Sequence, residues 1–313
     1  MQNFMISVNA VMPFAVYLAI GCLIRVRRIA DEAFMSKLNQ FVFKVFFPFI
    51  MFRCVYTLDF DTGVSAFFVV FSVIELLTVI GLLVLIVPRI VRRNDRRGVV
   101  IQALYRSNTV LFAIPLAQSV FGEEAASAAG LLVAVLVPIY NITAILILET
   151  FSSGGRHSVR ELAMKLLNNP LIRGAIVGAV FLLLRVPLPQ CVMKPVNAIA
   201  DMATPLAVIV LGSTLRFDAL ANNRGILTRI MLVRLIGLPC LALLVSFFVE
   251  MSEFERFMQV ILYATPIAAS SYPMAVNIGG DGELAGQCVV VSTVCSVITI
   301  FLWILLLNSF GLI

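Results

Sequence analysis

Apolar runs of about 20 residues, set apart by short polar breaks, recur along the whole chain, and each is long enough to cross the hydrocarbon core of a bilayer as a helix. The pattern predicts ten such helices, near 4–24, 34–56, 64–87, 98–120, 126–149, 170–186, 196–215, 229–249, 256–277 and 285–308. The fourth and ninth runs are the most polar, which fits helices turned away from lipid. Each holds a polar stretch broken by proline. One reads Arg106-Ser-Asn-Thr-Val-Leu-Phe-Ala-Ile-Pro115-Leu-Ala, the other Thr265-Pro266-Ile-Ala-Ala-Ser-Ser-Tyr-Pro273-Met-Ala. Pro115 and Pro273 stand 158 positions apart, about half of the 313 residues. Breaks at membrane depth strand backbone N–H and C=O groups, and they persist only where protein or a water-filled cavity satisfies them. Interrupted helices at matching places in two halves point to a binding site near the membrane's midplane.

Further matches hold nearly the same offset. Pro13 to Gly21 lies over Pro170 to Gly178 at 157, Pro48 over Pro205 at 157, Leu58-Asp-Phe-Asp61 over Leu215-Arg-Phe-Asp218 at 157, and Glu124 over Glu283 at 159. Five spans in each half force the second half, 151–313, to insert upside down relative to the first, 1–150. The expected fold is an all-α polytopic membrane protein: ten transmembrane helices in an inverted 5+5 repeat, with helices 4 and 9 broken where they cross.

Composition agrees. Hydrophobic residues make up 61% of the chain and charged residues 13%, against about 25% charged in soluble domains. The net charge of +6 is not a nucleic-acid signal, because the basic residues cluster at helix ends. Fifteen of them, from Arg25 to Arg229, fall in the loops after odd-numbered spans, whereas the alternate loops hold Lys194 and Arg256. The positive-inside rule then puts the Arg89–Arg97 loop in the cytoplasm and both termini outside. The N-terminus lacks a signal peptide's basic region, so the first apolar stretch is expected to stay as a helix. Six cysteines without CxxC spacing imply neither a disulfide framework nor a metal site. His157 falls in a cytoplasmic loop and reads as solvated surface. With no triad, HExxH or phosphate loop after a strand, no enzyme and no cofactor is expected.

A broken helix ends in free N–H groups on one side and free carbonyls on the other. The N-terminal end, carrying about half a positive charge, suits a carboxylate. Asn108, Thr109, Ser270 and Ser271 add neutral donors, or serve as ordinary interhelical contacts. Ionisable groups at depth are costly and point to function. Glu75 lies in span 3, Arg234 at the matching place in span 8, and Arg106 two residues before Asn108. Two readings are open. Either Glu75 carries a coupling proton while Arg234 or Arg106 balances an anion, or these residues form a structural ion pair. Lys44, Arg53, Arg173 and Arg185 are nearer helix ends and are expected to snorkel to the interface. Asp201 is expected to face water near the outer end of span 7.

The run Ser107-Asn108-Thr-Val-Leu-Phe-Ala-Ile-Pro115-Leu-Ala-Gln-Ser-Val-Phe-Gly122 resembles the fourth helix of the auxin efflux carrier family, which includes bacterial permeases described as malate or malonate carriers. Asn169-Pro170-Leu-Ile, Leu215-Arg-Phe and Pro266-Ile-Ala-Ala-Ser270 are similar too. The resemblance covers the whole chain and, without a long central loop, favours the short bacterial members. It implies a fold shared with bile-acid symporters and sodium/proton antiporters. Helices 1, 2, 6 and 7 would form a scaffold, and helices 3–5 and 8–10 a moving transport domain. Substrate would sit where helices 4 and 9 cross, at Asn108 and Pro115 on one side and Pro266, Ser270, Ser271 and Pro273 on the other. The repeat offset favours Pro273 as the second break; the family-like string favours Pro266. The expected activity is secondary transport of a small organic anion, auxin- or malate-like, by an elevator motion in a bacterial cytoplasmic membrane. It leaves room for proton or sodium coupling and for a homodimer. The alternatives are a cation/proton antiporter and a non-transporting membrane sensor.

Overall fold

The computed structural model describes residues 2–57, 65–152, 160, 164, 167–214 and 220–313. The expectations for His157 and for the match between 58–61 and 215–218 fall outside these residues. Among the described residues every regular element is helical. We number the helices α1 (Gln2–Val26), α2 (Glu32–Tyr56), α3 (Ala66–Ile90), α4 (Asn94–Tyr105), α5 (Thr109–Phe121), α6 (Glu123–Ser152), α7 (Pro170–Leu183), α8 (Gln190–Thr214), α9 (Asn222–Ser246), α10 (Glu253–Ala264), α11 (Ser271–Ile278) and α12 (Gly282–Ser309). Among the described residues six helices are long and apolar enough to cross a membrane, so this is a multi-pass membrane protein.

Two helices carry a π-helical turn, Val42–Phe46 in α2 and Val233–Gly237 in α9. Each lies just before a proline, Pro48 and Pro239. A proline in a helix has no N–H for the carbonyl four residues back and its ring presses on that carbonyl; a widened turn relieves the clash. In α9 the carbonyl released by Pro239 belongs to Leu235, and the Trp303 indole N–H donates to it at 2.9 Å.

Helix α1 packs on α8, and α2 on α7, through glycines that let backbones touch. A Cβ on Gly21 would lie 2.1 Å from the Ile209 carbonyl oxygen, and one on Gly174 would lie 2.2 Å from that of Pro48. Gly21→Val is therefore expected to force α1 off α8 and sharply reduce the yield of monodisperse protein, read by size-exclusion chromatography in detergent. A normal profile would contradict this packing.

The ends of the helices are tied in two groups. The Asp281 N–H donates to the Asp95 carbonyl at 3.0 Å, and Arg96 pairs with Asp281 at 2.8 Å. Elsewhere the Tyr56 hydroxyl donates to the Val186 carbonyl at 3.1 Å and accepts from the Leu188 N–H at 2.9 Å. The first contact joins the start of α4 to the chain after α11; the second joins the end of α2 to the chain after α7.

Candidate functional site

Helices α4 and α5 are two halves of one interrupted rod, as are α10 and α11. Helix α4 has 12 residues and α11 has 8, so at about 1.5 Å per residue neither half covers the roughly 30 Å of a hydrocarbon core. The rods break at 106–108 and at 265–270. Thr265 precedes a proline and is extended, with φ −67° and ψ 152°, as the clash with the proline ring requires; Pro266 then offers no N–H to continue α10. The two broken stretches pair with each other. Asn108 N–H donates to the Pro266 carbonyl at 2.9 Å, Ala268 N–H donates to the Arg106 carbonyl at 3.3 Å, and Ser107 and Ile267 form an isolated antiparallel bridge.

This corrects one expectation and decides between two alternatives. Pro115 does not mark the first break; it lies inside α5, seven residues past Asn108. One proline interrupts one helical hydrogen bond, and the rest of α5 holds. Pro273 does not mark the second break either. It is the third residue of α11, where an N–H has no intrahelical acceptor and proline costs little. Pro266 is the proline within the break.

The C-terminal ends of α4 and α10 meet at Arg234, which is fully buried. Its Nη1 donates to the Leu104 carbonyl at 2.8 Å, and its Nη2 to the Thr265 carbonyl at 3.0 Å and to Ser107 Oγ at 2.5 Å. A guanidinium there offsets the partial negative charge of two helix ends at once and fills orphan carbonyls that hydrocarbon would leave bare. The π turn of α9 carries Arg234.

Arg106 has a different role. Its Nη2 donates to Asn141 Oδ1 and, at 2.7 Å, to Ser270 Oγ; its Nη1 abuts Met274 Sδ. Among the described residues no carboxylate pairs with Arg106 or Arg234. Glu75 does not pair with Arg234 as the matched positions suggested. It accepts from Gln259 Nε2 and is hydrogen-bonded to Tyr263, both on α10.

A cavity of about 700 Å³ lies beside the crossing, in the range that holds small molecules. On one side it is walled by Arg106, Asn108, Thr109 and Ser270 with Tyr140 and Asn141 of α6, and on the other by α1, α2 and α8. The first turn of α5 and the residues leading into α11 face it, so it receives the positive end of α5. Among the described residues Asn108 Nδ2 and Thr109 Oγ1 are buried with no hydrogen-bond partner. Of the sequence candidates, the cavity gathers Arg106, Asn108, Thr109, Pro115 and Ser270, while Pro266, Ser271, Pro273, Glu75 and Arg234 lie outside its wall. Arg53 reaches Asp201 at 2.6 Å, and both line the cavity. Sequence reasoning missed Tyr140 and Asn141; a buried asparagine in the fifth apolar run was the available signal.

Residues 5–304 match the family model described as membrane transport protein. The chain belongs to that family. The match bears out the resemblance to auxin efflux carriers and makes this membrane transport protein a transporter rather than a member of an enzyme family. A similar protein, an uncharacterized transporter of Methanothermobacter thermautotrophicus, is 25% identical over 310 residues, covering 96% of this chain and 98% of its own length.

Proposed function

We propose that this protein is a secondary transporter of a small organic anion in a bacterial cytoplasmic membrane. The observation that carries this reading is the cavity at the crossing. Among the described residues the positive end of α5, a buried guanidinium without a carboxylate partner and two unpartnered polar atoms converge there. An anion completes all four features. A cation would need paired acidic groups, and among the described residues the sole carboxylate in the cavity wall, Asp201, is already held by Arg53.

In this reading the chain crosses the membrane ten times as an inverted repeat. Helices α1, α2, α7 and α8 form the scaffold; α3 to α6 and α9 to α12 form the moving domain. Two further observations favour it. Gly21 and Gly178, which match at offset 157, serve equivalent contacts, α1 on α8 and α7 on α2. The tied ends fall as the topology requires, with the chain after α3 and after α11 inside and the chain after α2 and after α7 outside. The cavity then opens outward, where Asp201 is 67% exposed, and the inner side is closed by the 2.7 Å contact between the Thr214 and Tyr272 hydroxyls. Elevator motion of the crossing past α8 would break that contact.

Proteoliposome flux tests the reading, since a sensor would show none. Asn108→Ala is expected to reduce flux of an organic anion at least about tenfold, because a buried amide that binds only ligand is lost. The purified variant is expected to stay folded. Normal flux would remove Asn108 from the site. Topology is checked by single-cysteine labelling in a Cys-less background: position 94 is expected to be closed to an impermeant reagent in intact cells, and labelling there would overturn the ten-span arrangement. Glu75 has no cationic partner among the described residues, and ionised carboxylates at depth are costly. It is the candidate coupling group, so Glu75→Gln is expected to flatten the dependence of flux on pH between about 5.5 and 8 while leaving substrate binding intact. An unchanged profile would leave Glu75 as a structural acceptor for Gln259 and Tyr263.

A further inference from the structure

Among the described residues three charged ones line the cavity: Arg106 on the crossing, and Arg53 of α2 with Asp201 of α8 on the facing wall. Arg106 is buried and, among the described residues, its guanidinium meets neutral groups, the Asn141 carbonyl oxygen, the Ser270 hydroxyl and the Met274 sulfur. Arg53 is neutralised by Asp201 at 2.6 Å. The cavity wall therefore carries one uncompensated positive charge. Around these groups it is mostly apolar, with Phe14, Phe47, Ile50, Met51, Val137 and Val208 among its residues.

Resting on the reading of this cavity as an anion site, we infer that Asp201 sets the charge of the substrate: the cavity takes an amphipathic monocarboxylate and rejects a dicarboxylate. One carboxylate sits on Arg106, the Asn108 amide and the N-terminal end of α5. Its apolar body lies against the aromatic and aliphatic wall. A second carboxylate long enough to cross the cavity meets Asp201, and the one cation on that side is already engaged. The second carboxylate is stripped of part of its water and finds a carboxylate but no free cation beside it, which works against binding. Arg53 and Asp201 both come from helices of the facing wall, so the pair is carried by the half of the cavity that the crossing does not supply.

The purified full-length protein is tested for binding by thermal shift and by scintillation proximity, using alkyl and aryl monocarboxylates alongside the dicarboxylates of the same carbon skeletons. The wild type is expected to bind the best monocarboxylate at least about tenfold more tightly than its dicarboxylate partner, because a second carboxylate is desolvated there without a free cation to receive it. Asp201→Asn frees Arg53 and raises the net charge of the wall by one, so the preference is expected to fall to parity or reverse. Combining it with Arg53→Gln restores a single positive charge, and the monocarboxylate preference is expected to return even though the ion pair is gone. That return separates charge selection from mere loss of a structural contact between α2 and α8. A wild type that favours dicarboxylates, or a preference unmoved by Asp201→Asn, overturns the role of Asp201 while leaving the anion site standing. Failure of the wild type to bind any member of either series overturns the anion site itself and this inference with it.

Discussion

Replacing Arg234 with leucine is expected to abolish transport and to destabilise the purified protein by about 3–5 kcal/mol, the scale for stripping one partner from a buried charged network. The guanidinium is the shared donor to the Leu104 and Thr265 carbonyls and to Ser107 Oγ. Without it, two helix C-termini face each other across a buried space with their partial negative charges unopposed. Leucine fills part of the volume but offers no hydrogen bond. Lysine is expected to recover little, because one ammonium cannot reproduce the planar fork that reaches three acceptors from two nitrogens. The check is a melting curve in detergent together with flux in proteoliposomes. A variant that melts and transports like the wild type would show that the backbone pairing of the two broken stretches is enough to hold the crossing.

The second large effect is expected at Arg106. Arg106→Gln removes the one uncompensated charge in the cavity wall but keeps a side chain able to donate to Asn141 or Ser270. Stability is expected to change by no more than about 1 kcal/mol, the net worth of an ordinary hydrogen bond. Anion affinity and flux are expected to fall on the order of 100-fold or more, since losing one partner of a buried charge pair costs about 2–5 kcal/mol. The two arginines therefore separate by readout: Arg234→Leu lowers the melting temperature of the empty protein, whereas Arg106→Gln lowers only the stabilisation that an added anion provides. If Arg106→Gln instead lowers the melting temperature as far as Arg234→Leu does, Arg106 is a structural residue and the cavity has lost its counter-charge.

Much of this was legible in the chain. Membrane residence follows from long apolar runs, because hydrophobic transfer is a property of each segment taken alone. The helix that ends at Thr265 is legible because the residue before a proline is barred from helical angles whatever surrounds it. The polar string from Arg106 to Thr109 was recognisable as a place of interest, and the family was readable from it. The position of the first break was not. Ser107 and Asn108 are weak helix formers, but nothing local makes them a stop while Pro115 remains helical. Residue 106 leaves the helix because its carbonyl and the N–H of Asn108 find partners near Pro266, in the other half of the chain.

The arginines teach the same lesson. Their presence at depth declared that something must answer them, yet the matched spacing of Glu75 and Arg234 suggested the wrong partner. The tertiary structure turns Arg234 onto two helix ends through a widened turn caused by Pro239, hands Glu75 to Gln259 and Tyr263, and leaves Arg106 facing a cavity. By itself the sequence determined what is local: which segments enter the membrane, where a proline stops a helix, and which family the chain belongs to. The tertiary structure decided what is shared between distant segments: where α4 stops, which charge meets which group, and which polar atoms are left for a ligand. The reason is that a backbone group buried in hydrocarbon must be satisfied, but the residue that satisfies it is chosen by proximity in space, not along the chain.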